Sequence, residues 1–133
     1  MSEPESPDPG QLLDPAHELV SSRRVEGTPV YGKEGERLGT IRSLMIQKHS
    51  GDVAYAMLSL TAFLGTASQV HPIPWNLLRY DVDRDGYVID VTRERLERAP
   101  SFTLDSADRP REPSEDDEVF AYYGALPPWG SLP

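Results

Sequence analysis

Between residues 28 and 91 the hydrophobic positions come in short runs of near-alternation, cut by glycine, proline and polar clusters, which is the pattern of strands. Thr28 to Tyr31 predicts a short strand and Lys33-Glu34-Gly35-Glu36 the turn after it. Arg37 to Lys48 predicts a longer strand with apolar Leu38, Ile41, Leu44 and Ile46. The three-residue step from Ile41 to Leu44 breaks strict alternation, so a bulge is expected at Arg42-Ser43. After the turn His49-Ser50-Gly51-Asp52, the run Val53 to Leu60 sets Ala54, Ala56, Leu58 and Leu60 on one face and Val53, Tyr55, Met57 and Ser59 on the other. Both faces are mostly apolar, as in a central strand covered on each side.

Thr61 to Ser68 then reads as a charge-free loop with Phe63 and Leu64 near its tip, and Gln69 to Pro74 as the return strand. Pro72 and Pro74 each remove a ladder donor, which places that strand at an edge or ends it early. Trp75 to Leu78 predicts one short turn. Arg79 to Val82 and Tyr87 to Val91 form a hairpin around Asp83-Arg84-Asp85-Gly86, whose Asp-Gly supplies positive-φ positions. Thr92 is placed to cap a short helix, Arg93 to Arg98, stopped by Pro100. About six strands and one short helix within roughly 75 residues is the density of an all-β, closed or nearly closed small barrel.

Charge divides the chain into three. The net −9 of the 133 residues splits into −5 over residues 1–22 (five acids, no Lys or Arg), +1 over 23–100 (ten acids, eleven bases) and −5 over 101–133 (seven acids, two bases). Prolines crowd the same ends, so 1–22 reads as an acidic, disordered leader, 23–102 as the folded domain and 103–133 as an acidic, aromatic, proline-rich tail. With no cysteine, disulfide frameworks, Cys-ligated zinc and thiol chemistry are excluded, and a reducing cytoplasm is the expected compartment. Residues 1–22 lack the basic start and apolar run of a signal peptide. Val53 to Leu78 carries no Asp, Glu, Lys or Arg, but Pro72 and Pro74 in its second half argue against a membrane helix, so no membrane insertion is expected.

The central piece resembles the PRC-barrel domains, the family of the cytoplasmic barrel of the photosynthetic reaction centre H subunit and of the C-terminal domain of a bacterial ribosome maturation factor. The resemblance is carried by Val30-Tyr31 with Gly35-Glu36-Arg37-Leu38-Gly39-Thr40-Ile41, then by Gly51-Asp52-Val53-Ala54-Tyr55-Ala56-Met57-Leu58. It continues through Phe63-Leu64-Gly65, His71-Pro72-Ile73-Pro74-Trp75 with Leu78, Leu96, and Ala99-Pro100-Ser101-Phe102, in that order along the chain. It implies a compact bacterial-type β-barrel adaptor that binds other macromolecules.

Two motifs invite sharper chemistry. Asp81-Val82-Asp83-Arg84-Asp85-Gly86-Tyr87-Val88 matches the first eight positions of an EF-hand loop, with Asp81, Asp83 and Asp85 as the calcium candidates. Position 12 is Thr92 where a bidentate Glu is needed, the flanks read as strands, and Arg84 sits inside the would-be site, so a solvated hairpin turn is the preferred reading. His17, His49 and His71 form no ligand pair of HxH or HxxxH type, and Ser21, Ser22, Ser59 and Ser68 have no base at recognisable spacing. No catalytic residue, cofactor or metal is therefore expected, and the protein is read as a non-enzyme.

The basic residues Arg93, Arg95 and Arg98 alternate with Glu94 and Glu97, the pattern of a solvated helix. A central piece of net +1 attracts a phosphate backbone weakly, which ranks an RNA-processing or ribosome-assembly role behind protein binding, with a calcium module on the 81–92 loop as the other alternative. Two features favour a protein partner or a homodimer: the apolar tip Phe63 and Leu64, and the tail. Residues 101–133 hold five of the chain's eleven aromatics, among them Phe120, Tyr122, Tyr123 and Trp129 behind the acidic run Glu115-Asp116-Asp117-Glu118. Solvating tails are poor in aromatics, so this segment is expected to dock on its own barrel, on a twin or on another protein.

Overall fold

The computed structural model describes residues 19–60, 69–109 and 111–129. A one-turn helix, α1 (Ser22–Val25), leads into β1 (Pro29–Tyr31), β2 (Arg37–Ile46), β3 (Val53–Leu60) and β4 (Gln69–Pro74). A 3-10 turn at Trp75–Leu77 precedes the hairpin β5 (Arg79–Asp81) and β6 (Gly86–Val88), and α2 (Arg93–Glu97), β7 (Phe102–Thr103), a 3-10 turn at Leu104–Ser106 and α3 (Pro113–Tyr123) follow. The strands form one sheet in the order β5-β6-β1-β2-β3-β4-β7, antiparallel throughout except for the parallel β1/β6 pair.

Two expectations about strands need correcting. Among the described residues there are seven strands where about six are expected, because Phe102–Thr103 pairs with Gln69 and Val70. Among the described residues the sheet is also open, with β5 and β7 at its edges, rather than a closed barrel. The predicted bulge is present: Ile41 faces Leu58 and Ser43 faces Met57, so Arg42 is the extra residue. The prolines of β4 lie beyond the two positions where β7 pairs, in the part of the strand that has β3 as its only neighbour. In the β5/β6 turn only Asp85 takes positive φ, at 51°. Gly86 opens β6 instead, where an added Cβ would lie 2.8 Å from the Pro29 carbonyl oxygen; close approach, not φ, requires glycine there.

The sheet is buried on both faces. One core gathers Val30, Leu38, Ile41, Ala56, Leu58 and Ile73 with Tyr87, Ile89 and Leu96. The other holds Tyr55, Met57 and Val70 with Ala107 and Phe120. From Tyr55 onward alternation divides β3 between them: Ala56, Leu58 and Leu60 enter the first core, Tyr55 and Met57 the second. Ala54, expected on the face of Ala56, lies instead in the second core, where the β2/β3 register shifts between Met45 and Ile46.

The segment after residue 103 is not an extended tail. Pro113 opens the eleven-residue α3, the Glu115 carboxylate accepts the Glu112 N–H at 3.1 Å, and Gly124 closes the helix in the left-handed region at φ 65°. Acidic residues in its first turn suit the positive end of the helix dipole. Val119 and Tyr123 enter the first core and Phe120 the second, so α3 packs against β4 and contributes to both cores.

Candidate functional site

The aromatic residues singled out in the C-terminal segment separate by environment. Phe120 is 1% exposed and meets Tyr55 edge-on at a centroid distance of 6.2 Å and Trp129 at 5.4 Å. Tyr123 is buried, and burial raises its phenol above the ordinary range. Tyr122 is half-buried and joins α3 to α2: its hydroxyl donates to the Arg95 carbonyl at 2.6 Å, while Arg95 Nη2 donates to the Tyr122 carbonyl at 3.0 Å. The Arg95 guanidinium lies 5.4 Å from the Tyr122 ring and 5.6 Å from that of Tyr123. Arg95 is therefore a clasp between helices rather than part of a merely solvated face. Of the four, only Trp129 remains largely open to solvent, 44% exposed. Phe63 and Leu64 lie outside the described residues.

Next to Trp129 a cleft of about 200 Å³ opens between the end of β2, the start of β3 and α3. Met45, Ile46, Ala54 and Tyr55 supply the strand side, and Ile46 is 53% exposed. Asp116 and Arg111 supply the polar side. The Tyr55 hydroxyl donates to Asp116 Oδ1 at 2.8 Å. Burial pushes the Asp116 carboxyl above the usual carboxylate range, opposed by that hydrogen bond and by the Arg111 charge and reinforced by Asp117 and Glu115. The Arg111 guanidinium lies 3.8 Å from the centroid of the Phe102 ring. Its Nε and Nη2 are buried and have no hydrogen-bond partner among the described residues. The sequence gives one sign of this residue's importance: Arg109 and Arg111 are the only bases in the acidic stretch from residue 101 onward.

The other candidate chemistry is dispersed. Asp81 Oδ1 accepts the Asp83 N–H at 3.0 Å, and the other oxygen of Asp81 faces Arg84 Nε at 3.7 Å. Asp85 accepts the Tyr80 hydroxyl at 2.8 Å. Among the described residues no group of three or more His, Cys, Asp or Glu side chains is placed to hold a metal ion. His71 is buried in β4 with Nδ1 unpartnered among those residues, while His49 lies in an exposed turn. No helix among them is long and apolar enough to cross a membrane.

A small, mostly β domain with a two-sided core and a cleft lined by apolar and polar side chains is thus the class that fold and site define. The family model for the PRC-barrel domain matches residues 17–96, more than half of the chain, and the chain belongs to that family. No curated protein matches it closely enough to carry an argument. The matched span stops before β7 and α3, so the cleft joins family residues of β2 and β3 to Arg111, Asp116 and Trp129 from the segment beyond it.

Proposed function

We propose that the protein is a non-catalytic PRC-barrel adaptor of the cytoplasm that docks another protein on the face formed by the end of β2 and the C-terminal segment. The observation that carries this reading is the exposed pair Ile46 and Trp129, 53% and 44% accessible, both lining one cleft. Large apolar side chains gathered at a cleft with a few polar groups are the usual composition of a docking site. The rest of the C-terminal aromatics stabilise the platform from within, so the contact is made by a folded surface rather than by a free peptide. The calcium alternative loses ground because the Asp81 and Asp85 carboxylates already serve the hairpin. The RNA alternative has only a central piece of net +1 to draw on.

The test compares the full chain with Ile46→Asp and Trp129→Asp variants in affinity capture and in light scattering. Loss of a captured protein in both variants, with unchanged circular dichroism, supports the reading. Loss of a dimer instead would make a second copy of the chain the partner, and identical behaviour of all three proteins would refute this docking face.

A further inference from the structure

The polar side of the cleft says what chemistry a partner must bring. Arg111 stacks on Phe102 by its flat face, which leaves the edges of the guanidinium for hydrogen bonding. Nε and Nη2 lie on the same edge, the pair of parallel donors that fits the two oxygens of a carboxylate. Both are buried and neither has a partner among the described residues. No acidic side chain among those residues makes an ion pair with Arg111. Asp116, the carboxylate that shares the cleft, is bonded to Tyr55 instead. A guanidinium keeps its charge at any physiological pH, and leaving its buried donors unmade is costly.

We propose, resting on the adaptor reading above, that the Nε and Nη2 edge of Arg111 receives one carboxylate of the docked protein, an Asp or Glu side chain beside a bulky apolar residue that packs on Ile46 and Trp129. Charge selects a monoanion. Glu115, Asp116, Asp117 and Glu118 follow on α3, so a doubly charged phosphate meets one cation and four acids, whereas a carboxylate fills the two donors with a single charge. The cleft's size agrees, since about 200 Å³ admits one or two side chains and no larger ligand.

The full chain is titrated through the millimolar range with N-acetyl-leucyl-aspartyl amide, with its asparagine analogue and with inorganic phosphate. The readouts are the indole N–H resonance of Trp129 and the Nε–H resonance of Arg111, and the indole of Trp75, packed on Tyr87, is the internal control. The aspartyl probe is expected to shift both reporters and to bind at least about tenfold more tightly than the asparagine analogue and than phosphate. Arg111→Gln should abolish that preference. Arg111→Lys, which keeps the charge without the fork, should weaken it about tenfold while holding the fold if the glutamine variant does not. Equal binding of the two peptides, tighter binding of phosphate, or no shift by any probe would overturn the proposal. Partner capture that survives Arg111→Gln but fails in Trp129→Asp would also overturn it and leave the adaptor reading standing, whereas capture unaffected by either change would remove the adaptor reading itself.

Discussion

Tyr55, in the central strand, donates its hydroxyl to Asp116 in α3 at 2.8 Å, a bond between residues 61 positions apart that ties the C-terminal helix to the middle of the sheet. Tyr55→Phe removes the donor and leaves a partly buried carboxylate oxygen without it, so a loss of about 1–2 kcal/mol is expected from urea unfolding. Asp116→Asn keeps an acceptor and removes the charge. Because burial raises the Asp116 carboxyl, the folded protein holds that proton at pH values where the unfolded chain has released it. The group's contribution to stability is thus complete below the ordinary Asp value and is lost as pH rises through the folded value. Relative to wild type, Asp116→Asn should gain stability between about pH 3.5 and pH 7. Urea midpoints at the two pH values decide it, and a constant difference between the proteins would show that the carboxyl is not raised.

His71 should act in the opposite sense. It is 4% exposed, and burial lowers its imidazole, with Glu97 offsetting part of the effect. The unfolded chain therefore takes up a proton near pH 6.5 that the folded chain refuses. The stability involved is present above that pH and falls as pH drops below it. His71→Phe, of similar shape and unable to titrate, should flatten the midpoint change between about pH 7.5 and pH 5.5. An unaltered slope in the variant would assign the acid sensitivity to another group.

Two glycines in the family-like segments should respond unequally to alanine. At Gly39 a Cβ would stand 2.0 Å from the Ser59 carbonyl oxygen, across the β2/β3 ladder, where backbone has no room to move. At Gly51, with φ +83°, nothing lies within 4 Å and only the left-handed backbone resists a side chain. Gly39→Ala is expected to cost about 3 kcal/mol or to prevent folding, and Gly51→Ala about 1 kcal/mol, in thermal unfolding. Equal losses would mean that β2 and β3 are not so closely apposed.

Strands were legible because their cues are local. The two-faced run of β3, the bulge at Arg42 and the Thr92 cap of α2, where the hydroxyl accepts the Arg95 N–H at 3.2 Å, all follow from neighbouring residues. The chain also spells α3, with Pro113 at its start, Gly124 at its end and Asp116, Val119, Phe120 and Tyr123 at helical spacing. Acidity and proline content over 103–133 outweighed those signals, although acids in a first turn favour a helix. The Arg111 cleft was not legible, since it needs Phe102, β2 and Tyr55 brought together from distant parts of the chain.

The role of α3 can be settled by how the chain tolerates its loss. If the aromatic segment were a peptide resting on a finished domain, ending the chain at residue 103 would leave the sheet stable and merely uncover it. The burial argues otherwise: Val119 is 0% and Phe120 1% exposed, and they belong to different cores. Phe120→Ala should therefore cost about 3–5 kcal/mol, a large part of what holds a domain of this size. Trp129→Ala, at a residue already 44% exposed, should cost about 1 kcal/mol. The truncated chain should lose its cooperative unfolding transition, because both cores are uncovered together. A truncated protein that unfolds cooperatively at the wild-type midpoint would return α3 to the status of a bound peptide.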